Sequence, residues 1–508
     1  MKKEIVSLSV LIFASIAIML SVMFFSFKLE SKGFHTRDFA FYMEFYSKLF
    51  DSGLTNQYSL NPEGFNMFKM EGVESTHSFH QALHLEPIKY LCALIHHLFG
   101  GPASVFVFFS FVYFLPIMYL ARFYPCRDKY DSYFLVFISL LYFVYPSTLE
   151  AVSFDVRPYA LIGPFFFLTI LSIYLRRPRW ESGLFFTLLL FSREEGLVFG
   201  GLAILFVLAT HRFSKEWRPL LHYMSVTLGL WALVIFGYFA WTGYEININL
   251  QKIVSLITHP LVIPVILACV VVCWYSYRHM LAILKRLNLS THVLQVLVYL
   301  LVFVPLGYQL IGTRVKTLIE APFSTMGGIL HRLYFEPRFK IYFICAVMLL
   351  ILCWRMVQKV SHKHLILGAI VGFMVGSVMS KVSYLHQTLD YSAYDSAQLV
   401  KEIRNDTDKY NTAVLVDYET YQSFYDYEHV YVYNRLPWTL VEGDVRYYPN
   451  EEAVSALVEL LRNKIEYIVI THESTENIKS LLERSGMEGY EVIAENELYR
   501  VMWLVEED

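Results

Sequence analysis

The chain has 508 residues, of which 56% are hydrophobic, 17% aromatic and only 17% charged. A typical soluble domain carries about 25% charged residues, so the apolar excess is too large for one or two water-soluble cores. The 37 Tyr and 41 Phe also exclude a disordered chain, because they provide ample apolar surface to bury. The composition therefore indicates a membrane protein.

The net charge of −3 hides two regions of opposite sign. From Leu385 to the C-terminus the chain has 10 Lys+Arg and 25 Asp+Glu, a formal charge of −15, whereas the preceding residues have 32 and 20, a charge of +12. We therefore predict a transmembrane domain over 1–384 and a soluble domain over 385–508. The acidic C-terminal region argues against nucleic acid as a partner, because phosphate backbones need a basic surface.

Apolar segments of about 20 residues, the length that crosses a bilayer, recur throughout the first region. They lie near 4–27, 103–123, 132–149, 157–175, 220–242, 259–277, 291–311, 339–356 and 363–380, with a shorter pair at 183–192 and 196–210. The pattern predicts an α-helical polytopic membrane protein with about 11 transmembrane helices. The first segment lacks a small-residue cleavage site, which is typical of an anchor rather than a removable signal peptide.

Basic residues predict how the chain is oriented. They collect in alternate short loops, at 122–129, 176–179, 211–218, 278–286 and 355–364. Such loops stay in the cytoplasm. We therefore expect a multi-pass protein of the bacterial plasma (inner) membrane, with a cytoplasmic N-terminus and an extracytoplasmic C-terminal domain.

The first predicted exterior loop, 28–101, contains two short helical patterns. After Thr36-Arg37-Asp38, apolar residues from Phe39 to Phe50 recur with i, i+3, i+4 spacing, which predicts a helix lying flat on the membrane surface. The stretch from Glu86 to Phe99 is short and carries a proline at its first turn, so it predicts a second in-plane helix.

The C-terminal region alternates helix and strand patterns. Helices are predicted at 393–408, 450–463 and 474–485, and strands at 412–417, 429–433, 466–470, 490–494 and 498–504. Such alternation predicts a small α/β domain. The region has no G-x-G-x-x-G or Walker loop, so the sequence does not support nucleotide binding there.

Ionisable residues gather at the predicted exterior ends of the helices. Charges at membrane depth are costly, and they are therefore candidates for a functional site. The residues concerned are Arg37, Asp38, His77, His80, His84, Glu86, Asp155, Arg157, Arg193, Glu194 and Glu195. Carboxylates and arginines at the lipid–water boundary suit a reaction between a lipid-borne phosphate and a water-borne acceptor.

Four of these motifs carry a family resemblance. Asp38, His84-Leu85-Glu86-Pro87, Phe154-Asp155-Val156-Arg157-Pro158 and Ser192-Arg193-Glu194-Glu195-Gly196 resemble the bacterial membrane proteins called domain of unknown function 2079. That family is similar to the GT-C glycosyltransferases. The resemblance covers roughly the first 210 residues. It implies transfer of a sugar from a polyprenyl-phosphate donor in the membrane lipids to an extracytoplasmic acceptor.

The resemblance also implies roles for individual residues. Asp38 would be the general base that takes the acceptor's proton. Arg193 would hold the donor phosphate bidentately, with Arg157 as a second candidate. Substrate-binding roles are implied for Arg37, His84, Glu86, Asp155, Glu194 and Glu195. No cofactor is certain, although Asp155 could bind a divalent metal.

Other interpretations remain open for the same residues. Asp38 could simply begin a helix, and Arg193 with its two glutamates could be an internal ion pair that makes a turn tolerable at membrane depth. His77, His80 and His84 could ligate a metal, but interfacial histidines more often only form hydrogen bonds. The rival functions are a transporter or flippase of lipid-linked glycans, and a non-catalytic membrane scaffold.

Overall fold

The structure, a computed structural model, describes residues 85–144, 156–211 and 215–241 continuously and parts of 9–50, 347–378 and 402–504. The bounds of the labelled helices are α1 Ile88–Phe99, α2 Gly101–Phe123, α3 Lys129–Val144, α4 Ile162–Tyr174, α5 Arg179–Ser192, α6 Gly196–His211, α7 Arg218–Trp241 and α8 His472–Ser485. The predicted spans at 259–277 and 291–311 and the predicted helix at 450–463 lie outside the described residues.

The described helices follow the predicted spans closely. Gly101–Phe123 and Arg218–Tyr238 are long and apolar enough to cross a membrane, and shorter apolar helices occur at Ser9–Leu20, Pro158–Tyr174, Gly196–Leu208 and Lys363–Gly376. The short pair predicted around Ser192 to Gly196 is observed as α5 and α6. The total of about 11 crossings stays a prediction.

Helix α4 is the centre of the helical region. Every residue from Ile162 to Ile173 is buried, and α2, α5 and α6 pack against it. A helix that is apolar all round is expected in a fully buried position. In contrast, α7 exposes large apolar side chains such as Leu230, Leu233 and Phe236, as a helix facing lipid does.

A two-glycine turn joins α1 to α2. Gly100 and Gly101 have φ values of 72° and 68°, in the left-handed region that favours glycine. The amide of Gly100 donates to the carbonyl of His96 and ends α1, and α2 begins at the next residue. One residue, Gly100, therefore separates the two helices, and α1 packs against α2.

The apolar residues of the first predicted in-plane helix contact protein instead of lipid. Residues 42–43 and 45–47 are helical, and Tyr42, Met43, Phe45 and Tyr46 are 0 to 3% exposed. The prediction of an apolar face against the membrane is therefore wrong for these residues. Lipid and protein interiors are both apolar, so the spacing of apolar residues does not say which one covers the face.

An ionic latch joins the start of α3 to a late part of the chain. We define it as Asp128, Asp131, Trp354 and Lys363. The indole Nε1 of Trp354 donates to buried Asp131 at 2.7 Å, and the Lys363 ammonium lies 2.7 Å from Asp128. The indole also stacks on Phe134, with ring centroids 4.4 Å apart. These contacts connect residues more than 200 positions apart.

The described residues of the C-terminal region form seven strands and helix α8. The strands are β1 Ala413–Val416, β2 His429–Val432, β3 Trp438–Leu440, β4 Tyr447–Pro449, β5 Tyr467–Thr471, β6 Tyr490–Glu495 and β7 Tyr499–Leu504. The five-stranded sheet has the order β2-β1-β5-β7-β6. Strands β2, β1 and β5 are parallel, β7 and β6 continue antiparallel, and β3 pairs separately with β4.

Buried Asp417 fixes the carboxyl ends of β1 and β5. One carboxylate oxygen accepts from the amide and hydroxyl of Thr471, both at 2.6 Å, and from the hydroxyl of Ser474. The other accepts from the amide and hydroxyl of Thr420. A buried carboxylate is stable when its lone pairs are satisfied in this way, so Asp417 holds the two strands and the start of α8 together.

Candidate functional site

The candidate site is built around Arg193, in the turn between α5 and α6. The residue follows the end of α5 in extended conformation. The turn is tight at Gly196, where an added Cβ would lie 2.5 Å from the carbonyl oxygen of Leu189. Glycine is therefore needed for the backbone to approach this closely.

Three carboxylates surround the Arg193 guanidinium. Its Nε lies 3.0 Å from Glu195, 3.5 Å from Glu194 and 3.6 Å from Glu86. We call these four residues the Arg193 cluster. Glu86 comes from the residues just before α1, so the cluster joins segments more than 100 residues apart. The structure thus brings together four of the candidate residues inferred from the sequence.

Glu86 is the most buried member of the cluster. Its side chain has no exposed surface, and the hydroxyl of Tyr42 donates to its Oε2 at 2.7 Å. Burial raises the pKa of Tyr42 well above its ordinary value and Glu86 adds to this, whereas Arg193 and Arg157 oppose it. Tyr42 is therefore protonated and remains a donor to Glu86. The sequence analysis treated Tyr42 only as one of the regularly spaced apolar residues and did not predict the role of its hydroxyl.

Lys89 is a second buried cation beside the cluster that the sequence analysis did not select. It is 5% exposed, and its ammonium lies 5.1 Å from the centroid of the Phe45 ring. Burial lowers the pKa of Lys89, and the charges of Glu86 and Glu194 oppose that change. The i, i+3 spacing of Glu86 and Lys89 is the signal that could have identified it.

The turn before α4 completes the surroundings of Arg193. A 3₁₀ turn runs over Pro158–Leu161, and the Cζ of Arg193 lies 5.2 Å from the centroid of the Tyr159 ring. Cations at this distance from an aromatic face are attracted to it. The hydroxyl of Tyr46 donates to the carbonyl of Val156 at 2.9 Å and connects this turn to the N-terminal segment.

Arg193 and Glu194, in the turn, have shifted pKa values. Burial alone would lower the pKa of Arg193, but Glu86 and Glu195 outweigh burial and keep it above its ordinary value. Burial raises the pKa of Glu194, although Arg193 opposes the change. The guanidinium is thus permanently charged, whereas Glu194 is more easily protonated than an ordinary glutamate.

The other candidate residues lie outside the described residues. These are Arg37, Asp38, His77, His80, His84 and Asp155. Within the part of the chain that the structure describes, no three His, Cys, Asp or Glu side chains are grouped to hold a metal ion. The metal candidates among the masked histidines and Asp155 stay predictions.

A second arginine lies at the other end of α5. Arg177 precedes the helix and contacts Glu181 at 2.9 Å, and Tyr119 also donates to Glu181. Helix α5 has 14 residues, which corresponds to a length of about 21 Å. The Arg177 pair and the Arg193 cluster therefore lie at opposite ends of one helix.

The apolar helices and the charge cluster at the end of α5 are features of a polytopic membrane protein. Residues 41–248 match the model of a family described as a predicted membrane protein, DUF2079. The resemblance expected from the four motifs is confirmed over this stretch. The match includes Glu86, Arg157 and Arg193, whereas Asp38 lies three residues before it.

Two solved structures of ArnT from Cupriavidus metallidurans are similar to this chain. One is bound to undecaprenyl phosphate and has a TM-score of 0.48, and the other is in the apo state with a TM-score of 0.42. Each is 13% identical, and the comparison covers 97% of this chain and 98% of ArnT. No curated protein matches the sequence.

Proposed function

We propose that this protein is a GT-C-type membrane glycosyltransferase. It moves a sugar from a polyprenyl-phosphate donor to an acceptor on the outer side of the plasma membrane. The observation that carries the proposal is the buried Arg193 cluster, assembled from the start of α1 and the α5–α6 turn. Largely buried charges such as those of Glu86 and Arg193 are costly, and a site for an anionic lipid head group accounts for them.

The cations of the site suit the donor phosphate. Arg193 presents a planar fork that matches phosphate oxygens, and Lys89 supplies a second positive charge from α1. Arg157 is close enough for its charge to act on Tyr42, so it is a third candidate. When the sugar–phosphate bond breaks, the leaving phosphate gains negative charge, and a fixed cation stabilises that transition state more than the bound donor.

The acceptor side of the reaction requires a base. In the proposed step the acceptor oxygen attacks the anomeric carbon, its proton passes to Asp38, and the bond from that carbon to the phosphate oxygen breaks. The products are the glycosylated acceptor and the free polyprenyl phosphate. A single displacement of this kind inverts the anomeric carbon. The assignment of Asp38 rests on the family resemblance.

The test is sugar transfer by the purified full-length protein, with lipid-linked sugars extracted from its native membranes as donors and native envelope extract as acceptor. Arg193→Ala should lower the transfer rate by about 10²–10³-fold, the usual loss when a group that stabilises transition-state charge is removed. Asp38→Asn should lower it by at least 10²-fold. Arg193→Lys should recover part of the rate, because it keeps the charge but loses the fork.

Arg177→Ala is the matched control, since it removes an arginine–glutamate pair from the far end of α5. We expect this variant to keep the wild-type rate. If Arg193→Ala and Asp38→Asn both retain full transfer at normal membrane levels, the proposal fails. A loss of glycan transport with unchanged transfer chemistry would instead favour a flippase.

A further inference from the structure

The end of the helical region opposite the Arg193 cluster is strongly basic. Tyr119 near the end of α2 donates to Glu181 in the first turn of α5. Thr187 of α5 is hydrogen-bonded to Tyr223 of α7, so α5 and α7 both begin at this end. The basic residues described there are Arg122, Arg127, Lys129, Arg176, Arg177, Arg179, Lys215, Arg218 and Lys363, and the acidic ones are Asp128, Asp131, Glu181 and Glu216. Nine positive and four negative charges give a formal charge of +5, on the side that the basic loops predict to be cytoplasmic.

Three of the four carboxylates already have a basic partner. The ion pairs are Asp128 with Lys363 at 2.7 Å, Asp131 with Arg127 at 3.4 Å and Glu181 with Arg177 at 2.9 Å. In contrast, Arg122, Arg176 and Arg179 are exposed, and their side chains form no ion pair or hydrogen bond with the residues that the structure describes. We call these three residues the arginine patch. Its charges are not neutralised by the described part of the chain.

The Phe123 ring brings the members of the arginine patch together. The Cζ of Arg122 lies 5.7 Å from the centroid of this ring, and the Cζ of Arg177 lies 3.7 Å from it. Arg177 stands in the turn between α4 and α5, beside Arg176 and close to Arg179. The end of α2 and this turn therefore present their exposed arginines next to each other.

Arg176 has a backbone conformation that glycine adopts more easily. Its φ is 53°, and the amide of Arg177 donates to the carbonyl of Ser172 at 2.8 Å, which closes the end of α4. Helices that end in this way usually have glycine at this position, because a Cβ is strained there. A cation is favourable at the C-terminus of α4, and its exposed guanidinium can bind an anion in addition.

An exposed apolar surface begins beside the arginine patch and continues along α5. Trp180, which follows Arg179, is 68% exposed, and Leu184 one turn later is 47% exposed. Tryptophan is enriched where the hydrocarbon layer meets water. Unpaired arginines above an exposed apolar surface fit a phospholipid, because its head group lies at the membrane surface and its chains lie in the hydrocarbon. A soluble anion would contact the arginines but would leave the apolar surface uncovered.

We propose that the arginine patch binds the head group of an anionic phospholipid of the cytoplasmic leaflet. The lipid phosphate lies between Arg122, from the end of α2, and Arg176 and Arg179, from the α4–α5 turn. The acyl chains lie against Trp180 and Leu184. Basic side chains at the membrane surface attract anionic lipids, and each of them strengthens the attraction.

The test compares two phospholipids that have the same acyl chains, dioleoyl phosphatidylglycerol and dioleoyl phosphatidylcholine. Each is titrated into the full-length protein in non-ionic detergent, and native mass spectrometry counts the bound lipids. Wild type should bind the anionic lipid at least about tenfold more tightly than the zwitterionic one. Arg122→Gln and Arg179→Gln should each weaken binding of phosphatidylglycerol about fivefold and leave binding of phosphatidylcholine unchanged.

Arg176→Gly separates lipid binding from stability, because it removes a charge and relieves the backbone strain together. Its unfolding temperature without phospholipid should not fall, whereas its binding of phosphatidylglycerol should weaken about fivefold. Lys479→Gln is the matched control, since it removes one positive charge from α8 in the C-terminal region, and it should bind both lipids as wild type does.

Four results would overturn the proposal. Wild type could bind the two lipids equally, the three arginine variants could all keep wild-type binding of phosphatidylglycerol, or Lys479→Gln could weaken it as much as they do. The fourth result is full displacement of phosphatidylglycerol by an equimolar amount of soluble glycerol phosphate, which would indicate a soluble anion as the partner.

Discussion

Replacing Trp354 with Phe should weaken the ionic latch between α3 and the late part of the chain. The substitution keeps an aromatic ring that can stack on Phe134, whose ring centroid lies 4.4 Å from that of Trp354 in the wild type. It removes the Nε1–H group, which donates a hydrogen bond to Asp131 at 2.7 Å. Asp131 is 1% exposed, so water cannot replace the lost donor. The backbone amide of Arg127 still donates to its other oxygen.

The expected loss can be estimated from these contacts. A hydrogen bond to a charged group contributes about 1.5–3 kcal/mol, and the smaller phenyl ring adds about 1 kcal/mol for the lost volume. The free energy of unfolding should therefore fall by roughly 2.5–4 kcal/mol. The measurement is thermal unfolding in detergent micelles, followed by the fraction of protein that remains monodisperse after heating.

Trp231→Phe provides a matched control. Trp231 is 8% exposed and packs near Phe191, but its Nε1 has no hydrogen-bond partner among the residues that the structure describes. The same ring contraction there should cost only the volume difference of about 1 kcal/mol, and removing an unsatisfied donor offsets part of it. Equal losses of stability in the two variants would refute the hydrogen-bond argument at Trp354.

Three further variants test other parts of the structure. Asp417→Asn should destabilise the C-terminal sheet by about 2–3 kcal/mol, measured as faster proteolysis of that region, because an amide nitrogen would face groups that donate to the carboxylate; unchanged proteolysis would contradict the network. Burial opposes ionisation of Asp128, but its contact with Lys363 holds the pKa of this carboxyl below the ordinary 3.8. Stability from this pair is present above pH 3.8 and lost as the pH falls through the lower folded value, so the acid-side fall in unfolding temperature should be shallower in Asp128→Asn. Gly196→Ala should cost about 1–3 kcal/mol through its backbone clash, whereas Gly201→Ala, which meets nothing within 4 Å, should be neutral or slightly stabilising; similar thermal stability in both would argue against the tight turn.

Hydropathy and local motifs predicted the helices and the strands well. The segment from Ser192 to Gly196 interrupts an apolar run with three charged residues. Charged residues are costly in the middle of a membrane span, so the sequence predicted two helices joined by a turn at this point. The five predicted strands of the C-terminal region are observed within two residues of their predicted bounds, because β-branched and aromatic runs there are separated by polar segments. The short strands β3 and β4 were not predicted.

Contacts between distant segments could not be predicted from one sequence. The family resemblance implied substrate-site roles for Glu86 and Arg193, but their contact was not predicted, because nothing local joins two residues so far apart. Tyr42 was treated as apolar because its ring fits the i, i+3, i+4 spacing of apolar residues, although its hydroxyl donates a hydrogen bond to Glu86. The Trp354 to Asp131 contact was missed for the same reason, because an aromatic residue in one helix does not indicate its partner in another. Lys89 was missed although its i, i+3 spacing from Glu86 was visible in the sequence.

The burial of α4 on all sides has an electrostatic consequence. Its peptide dipoles align along the axis and place partial positive charge at the end that begins at Ile162. The Tyr159 ring beneath Arg193 belongs to the turn that leads directly into this end. Because the residues of the helix from Ile162 to Ile173 are buried, water screens that field little. The backbone of α4 therefore adds a favourable potential for anions next to Arg193, one that no side-chain substitution can remove.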